Sequence, residues 1–161
     1  MLGVLTIEEI ENTIKGQIVG RIGCHADGIT YVIPMSYAYD GEYVYGHSHE
    51  GMKIDMMRSN PEICFEVDEM TDMANWKCVV MWGTYEELHD PTERKVALQH
   101  LINRVLPLNS SETTHLTPNW PFPEEHIEDI GGVVFRIQLK NKTGRFENNA
   151  INSQAYAKKP F

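Results

Sequence analysis

Basic residues are scarce in this sequence. Its 161 residues include 14 Lys and Arg against 23 Asp and Glu, which gives a net charge of −9 at pH 7. Such a field repels nucleic acids and anionic lipid surfaces, so we expect neither as a partner. Any phosphate that the protein binds must be held by a few local donors, because the overall field opposes it.

Long apolar runs and paired cysteine motifs are also missing. No stretch approaches the roughly 20 apolar residues of a membrane-spanning helix, and the first residues, MLGVLTIEEIENTIKG, have no basic leader of the secretory type. The three cysteines, Cys24, Cys64 and Cys78, form no CxxC pair, which favours free thiols in a reducing compartment. We therefore expect a cytoplasmic protein with a single domain over residues 1–161, a length that suits one core.

Familiar catalytic motifs are absent as well. The sequence has no Ser/His/Asp elbow, no catalytic cysteine motif and no dinucleotide-binding GxGxxG. Hydrolase and Rossmann-type functions therefore have no support. Any redox chemistry would need a bound cofactor.

What the sequence does contain is a series of strand and turn signals. Asp27-Gly28 and Asp40-Gly41 are hairpin signals, Gly83 indicates a bulge or bend, and residues 70–75 are expected to form a loop. Alternating apolar or β-branched residues predict about six strands, at 17–25, 29–39, 42–48, 62–70, 76–89 and 131–146.

Helix signals are fewer. A capping box of Thr6 and Glu9 predicts a helix over 6–15, a second helix should run from Gly51 to before Asn60, and a third from Pro91 to before Pro107. Residues 107–131, rich in Pro, Ser, Thr and Asn, are expected to form a long loop folded over the body. Three helices are too few to alternate with about six strands. We therefore expect an antiparallel barrel with helical additions.

The segment from Tyr45 to Lys53 is the most informative one for function. A strand ends here, a hydroxyl and two imidazoles follow, and a helix begins with a lysine in its first turn. Helix amides, the Ser48 hydroxyl and the Lys53 ammonium could together hold a phosphate monoester. Alternatively, Ser48 only caps the helix, Glu50 complements its dipole and Lys53 is solvated, which is the commoner situation for such spacing.

Two further features each allow two interpretations. His47 and His49 are spaced like a metal-binding pair on one strand face, but no third ligand accompanies them, so we expect no metal site and favour contact with a polar cofactor or solvent. Pro34 removes one hydrogen bond from a predicted strand. The freed main-chain groups and Ser36 could bind the polar edge of a flat ring, or Pro34 could protect an edge strand from aggregation.

Several segments carry a family resemblance. They are GRIG at 20–23, YVIPMSYAYDGEYVYGHSHEGMKIDMMRSNPEICFEV at 31–67, WKCVVMWGTYEEL at 76–88 and, more weakly, KTGRF at 142–146. Together they resemble the pyridoxamine-phosphate-oxidase-like family of FMN-binding split barrels, and within it the nitroimidazole-reductase branch. The central segment is the specific one, because the proline strand, hairpin, His-Ser turn, Gly-x-Lys helix and Asn-Pro occur in order.

The resemblance implies a mostly β fold, a six-stranded antiparallel split β-barrel with Greek-key connections and flanking short helices. It also implies a homodimer with FMN at the subunit interface. The phosphate would lie at the helix start and the isoalloxazine against the strands, with Trp76 or Trp82 stacking nearby. The implied cofactor-binding residues are Pro34, Met35, Ser36, Tyr37, His47, Ser48, His49, Lys53, Trp76, Lys77 and Cys78.

Departures from the family pattern narrow the expected activity. Met52 stands where pyridoxamine phosphate oxidases carry a second phosphate-binding cation, Cys78 stands where the branch often has Ser, and the C-terminus lacks the Arg-rich substrate signature. Oxidation of pyridoxamine phosphate is therefore not expected. We expect an FMN-dependent oxidoreductase that passes electrons from a reduced nicotinamide to a small planar acceptor, such as a nitroaromatic compound. The alternative is a non-catalytic flavin or haem carrier or sensor on the same barrel.

Overall fold

The structure is a computed structural model that describes residues 1–105, 127 and 130–149. This part of the chain forms eight strands and three helices. In chain order they are β1 (Leu2–Val4), α1 (Ile7–Gly16), β2 (Val19–Ala26), β3 (Ile29–Ser36), β4 (Ala38–Tyr39), β5 (Tyr43–Ser48), α2 (Met52–Ser59), β6 (Glu62–Asp72), β7 (Asn75–Glu87), α3 (Pro91–Val105) and β8 (Val133–Asn148).

All strands belong to one antiparallel sheet, in the order β3-β2-β6-β7-β8-β5-β4. β1 adds to β8, where Leu2 pairs with Glu147. Within the described residues no pairing joins the end strands β3 and β4, so the sheet stays open. The predicted antiparallel β fold is confirmed, with two short strands, β1 and β4, beyond the six expected.

The turns form where the sequence predicted them, with one exception. Asp27 and Gly28 both have positive φ, 51° and 77°, as a two-residue hairpin turn requires. Asp40 Oδ1 accepts hydrogen bonds from the amides of Glu42 and Tyr43, which closes the second turn. The loop expected at 70–75 is wrong: β6 continues to Asp72 and β7 starts at Asn75. Asp72 Oδ1 accepts the Ala74 amide there and forms a tight turn.

The three predicted helices are confirmed. Thr6 and Glu9 form the capping box of α1, and the amides of Thr92 and Glu93 donate to Asp90 Oδ1 at the start of α3. Gly83 marks a register shift between β7 and β8, and a Cβ there would lie 2.5 Å from the carbonyl oxygen of Gln138. No helix in the described part of the chain is long and apolar enough to cross a membrane.

Two apolar cores lie on opposite faces of β5 and β8. The main core fills the curved sheet and contains Phe65, whose ring meets Tyr37 edge to face with centroids 5.1 Å apart. The second core lies under α3 and includes Tyr45 and Val134. The expected 107–131 loop falls largely outside the described residues, although Ile127 and Ile130 are buried in this second core. The end of β5 is thus fixed from both sides.

Candidate functional site

The turn between β5 and α2 leads into a helix start at Gly51. We call residues 47–53 the cationic turn. Gly51 stands at the N-cap of α2 with φ 156°, a value that favours glycine, and no side chain of the described residues caps the helix. Ser48 Oγ donates to the carbonyl oxygen of His49 at 2.9 Å instead. The simpler alternative, in which Ser48 caps the helix, is therefore wrong, and the first amides of α2 remain open to a ligand.

Lys53 brings a full positive charge to this turn. It lies in the first turn of α2 and is half-buried. Among the described residues it makes no hydrogen bond or ion pair. Burial lowers the pKa of Lys53, and only the Cys24 thiol opposes that shift. A half-buried ammonium without a carboxylate is costly, so the local structure favours an added anion.

His47 adds an imidazole ring to this turn. Its Nε2 lies 2.8 Å from the carbonyl oxygen of Gly131, and its ring is 6.2 Å from that of His49. Burial lowers the pKa of His47, and the charges of His49, Arg94 and Lys53 lower it further. Arg94 and Lys53 therefore both lie near His47, although the whole protein is acidic.

A groove runs along the outer face of the sheet, which we define as the face carrying Arg21, Gly23 and His25 of β2. Its volume is about 540 Å³. The floor is largely apolar, and Val32 and Trp82 are 59% and 43% exposed. The groove is lined by Arg21, Gly23, Cys24, His25, Thr30, Val32, Glu62, Ile63, Cys64, Glu66 and Trp82.

The groove and α2 border opposite sides of β2. The groove reaches Cys24, and the charge of Lys53 acts on that thiol, where it opposes the rise in pKa that burial causes. α2 also packs directly on β2. Because the Cys24 thiol and α2 belong to the main core, the groove and the cationic turn are connected through β2 and not along one open face.

A sequence model of the family described as pyridoxamine 5'-phosphate oxidase matches residues 6–146. This chain belongs to that family. The resemblance inferred from the sequence is thereby confirmed.

Two individual relatives match most of the chain. The chain is 28% identical over 149 residues to an uncharacterized protein of Rhizobium meliloti (strain 1021), covering 88% of this chain and 93% of that protein. A crystal structure of an FAD-binding protein from Mesorhizobium loti shares 31% identity with a TM-score of 0.73, covering 92% of this chain and 99% of that one.

A third comparison supports the fold alone. A crystal structure described as a candidate 5-nitroimidazole antibiotic resistance protein from Bacteroides thetaiotaomicron VPI-5482 has 20% identity and a TM-score of 0.68, covering 91% of this chain and 87% of that one. With these matches the open antiparallel sheet is identified as a split β-barrel.

In this member of the pyridoxamine 5'-phosphate oxidase family, the predicted ring-binding segment divides between two faces. Pro34 and Ser36 are exposed on β3, an end strand of the sheet, on the outer face. Met35 and Tyr37 are buried in the main core, and the Tyr37 hydroxyl donates to the carbonyl oxygen of Ile14 at 2.6 Å. Within one chain, only Pro34 and Ser36 can meet a ligand that lies on the outer face.

The predicted β7 residues divide in the same way. Trp76 and Cys78 share the outer face with Trp82, since side chains alternate along a strand. The Trp76 indole donates to Glu147 at 3.3 Å, and the Cys78 thiol lies 3.4 Å from Glu66 Oε1. Lys77 points to the opposite face and pairs with Glu69 at 3.3 Å. In a single chain, Lys77 is therefore separated from the groove by the sheet.

Two residues close to His47, Arg94 and Gly132, were not predicted from the sequence. Arg94 acts on His47 from α3, and its Nη2 donates to the carbonyl oxygen of Ile130 at 3.1 Å. A Cβ on Gly132, which has φ 80°, would lie 2.9 Å from His47 Nε2. The Gly-Gly pair ahead of the last strand was the available signal for this close approach. The described residues contain no group of three or more His, Cys, Asp or Glu side chains suited to a metal ion.

Proposed function

We propose that this protein binds FMN, with the phosphate at the cationic turn, and works as an FMN-dependent oxidoreductase. The observation that carries the proposal is Lys53. It is a half-buried ammonium in the first turn of α2, and within the described part of the chain it has no partner and the helix has no side-chain cap. The phosphate of FMN has about −1.5 to −2 charges near neutral pH and three acceptor oxygens. It would satisfy both the open amides and Lys53.

The flavin ring would lie along the outer-face groove. A groove of about 540 Å³ is within the usual range for small-ligand sites. Trp82 is the exposed aromatic side chain on its floor, and aromatic rings stack in offset geometry. Pro34 and Ser36 extend the same face and would meet the polar edge of the ring.

The flavin supplies hydride and electron transfer, and the protein supplies position and electrostatics. Lys53 and the helix amides would bind and orient the phosphate, and the Ser48 hydroxyl would join them by turning away from the carbonyl oxygen of His49. The groove would exclude water from one face of the ring. Electrons would come from a reduced nicotinamide and pass to a small planar acceptor. A nitroaromatic acceptor is supported by the resemblance and by the description of the Bacteroides thetaiotaomicron protein.

A homodimer is part of the proposal. Val32 and Trp82 leave apolar surface exposed on the outer face, and contiguous patches of this kind commonly mark interaction sites. A second copy on this face would cover the open side of the groove. We expect sedimentation equilibrium to give twice the chain mass and Trp82→Glu to shift it towards the monomer. A monomeric wild type contradicts this part of the proposal.

The decisive experiment is a titration with FMN, FAD and riboflavin, followed by dialysis and absorbance spectroscopy. FAD is included because the 31% identical Mesorhizobium loti protein is described as FAD-binding. We expect retained flavin bands and tighter binding of FMN than of riboflavin. A protein that stays colourless after dialysis rejects the proposal, and tighter binding of FAD than of FMN corrects the cofactor.

Turnover separates the enzyme from a carrier. We expect steady oxidation of NADH or NADPH by the flavin-loaded protein when a nitroaromatic acceptor is present. Tight binding without turnover would instead identify a flavin carrier or sensor. The haem version of that alternative is disfavoured, because His47 Nε2 is already engaged with the carbonyl oxygen of Gly131. A Soret band that appears with hemin and is lost in His49→Ala would support a haem carrier or sensor.

A further inference from the structure

Arg58, in the last turn of α2, binds two carboxylates at once. Its Nη1 and Nη2 donate to Glu50 Oε2 and Oε1 at 2.7 and 2.9 Å. Its Nε and Nη2 donate to Glu87 Oε2 and Oε1 at 2.7 and 2.8 Å. One guanidinium therefore connects the cationic turn to the end of β7.

Glu50 lies next to the positive end of the α2 dipole. It directly precedes Gly51, the N-cap of α2. A carboxylate here is attracted to the positive end of the helix dipole and would compete with any other anion. Both Glu50 oxygens are instead bonded to Arg58. Among the residues that the structure describes, the start of α2 consequently stays uncapped.

Glu87 holds the guanidinium in place. Its side chain is only 16% exposed, and the Tyr85 hydroxyl also donates to it at 3.2 Å. The hydrogen bonds from Arg58 keep the pKa of Glu87 below its usual range. Exposed ion pairs usually contribute little stability, but bidentate geometry in a network fixes orientation. Arg58 can thus set the direction of the Glu50 carboxylate.

We infer that Arg58 is a positioning residue for the phosphate site: it holds the Glu50 carboxylate away from the start of α2, and so removes a like charge from the bound phosphate. This inference rests on the proposed function and deepens it. Arg58 acts through Glu50 and not through the ligand. Its contribution should therefore depend on Glu50 being charged.

A double-mutant cycle tests this dependence. Arg58→Gln should weaken FMN binding about fivefold, the size expected for one uncompensated charge at a helix start, and leave riboflavin unchanged. Glu50→Gln alone should leave FMN binding within about twofold of wild type. In the Arg58→Gln/Glu50→Gln protein, FMN affinity should return to near the wild-type value. The single and the double variant both lose the contact between Arg58 and Glu87. If Arg58 acted only by stabilising the fold through that contact, the double variant would therefore not recover FMN affinity.

Arg136→Gln is the matched control. Arg136 forms a bidentate pair with Glu86 at 2.6 and 3.0 Å and lies over the Tyr43 ring. This substitution removes the same charge without freeing Glu50, and FMN binding should stay constant. If the double variant binds FMN as weakly as Arg58→Gln, or if Arg136→Gln causes an equal loss, the inference is overturned. If wild type fails to prefer FMN over riboflavin, the phosphate site itself is wrong and the inference falls with it.

Discussion

His47 Nε2 lies 2.8 Å from the carbonyl oxygen of Gly131, although the two residues are 84 positions apart. A carbonyl oxygen only accepts hydrogen bonds, so Nε2 carries the proton and the tautomer of the ring is fixed. The next residue, Gly132, has φ 80°, and a Cβ there would come within 2.8 Å of the carbonyl oxygen of Ser48. The chain just before β8 therefore sets the position of the imidazole at the cationic turn.

Gly132→Ala should damage both stability and binding. The substitution combines an unfavourable φ with a clash against His47 and Ser48, so we expect a loss of about 1–3 kcal/mol in the free energy of unfolding and weaker FMN binding. Gly131→Ala is the control, because its Cβ would meet no atom of the described residues within 4 Å. Urea unfolding and flavin titration measure both effects. Equal losses for the two variants would show that the close contact with His47 is unimportant.

Lys53→Ala should discriminate between two flavins. A charge-assisted contact contributes roughly 1.5 to 3 kcal/mol, so FMN should bind about ten- to a hundredfold more weakly. Riboflavin lacks the phosphate and should bind almost unchanged. Because burial already disfavours this ammonium, the thermal midpoint should not fall. A parallel loss for both ligands, or none for either, places the phosphate elsewhere.

Lys77→Ala distinguishes the family-based prediction from the geometry of this chain. Lys77 pairs with Glu69 and alternates with Val79 and Met81, which are buried in the main core. We expect FMN affinity to remain within about twofold of wild type, since the lost pair is exposed. The same titration as for Lys53→Ala measures it. A clear loss would show that Lys77 reaches the flavin, for example across a subunit interface.

The stability of the protein should decrease in mild acid partly because of His47. Burial lowers the pKa of His47, so below the ordinary histidine pKa of about 6.5 the unfolded chain binds a proton that the folded chain resists. The free energy of unfolding should therefore fall as the pH drops from 7.5 to about 5.5, and the decrease should be smaller in His47→Gln. Urea titrations at both pH values provide the comparison. An identical decrease in the variant would assign the effect to other groups.

The cysteines should react slowly in the folded protein. Burial raises the pKa of all three thiols, and with the hydrogen bond to Glu66 it raises the pKa of Cys78 to about 12. Alkylation by iodoacetamide requires the thiolate, so labelling at pH 7.5 should be far slower than in urea. Cys64 lines the groove, and FMN should slow its labelling further in peptide mass spectrometry. Labelling of Cys64 that ignores FMN would argue against the groove as the ring site.

Local signals predicted most of the fold, because they depend on neighbouring residues. The Asp27-Gly28 turn and the Thr6 capping box each depend on residues only a few positions apart in the sequence. The 70–75 segment was misassigned because its polar residues resemble a loop, whereas pairing with β8 extends β7 to Asn75. Cross-strand pairing of this kind is a tertiary effect that overrides local propensity.

The site was predictable only where its residues are contiguous. The 47–53 segment shows its chemistry in the sequence alone. The approach of Gly131 and Gly132 to His47, and the contact of Glu87 with Arg58, join distant parts of the chain. The division of Pro34 and Ser36 from Met35 and Tyr37 follows strand alternation, and their resemblance to a family segment did not indicate which of them face a ligand.

The place of β8 in the chain has a consequence for biosynthesis. β8 pairs with β1, β5 and β7, yet it is the last described strand to be synthesised. Until it leaves the ribosome, β5 has only the two-residue strand β4 beside it, and β1 has no neighbour in the sheet. The nascent chain must therefore keep β1 and one edge each of β5 and β7 unpaired through most of translation. Such intermediates expose edges that other chains can join, and the sequence-distant pairings make the final closure slow compared with a helical protein of this size.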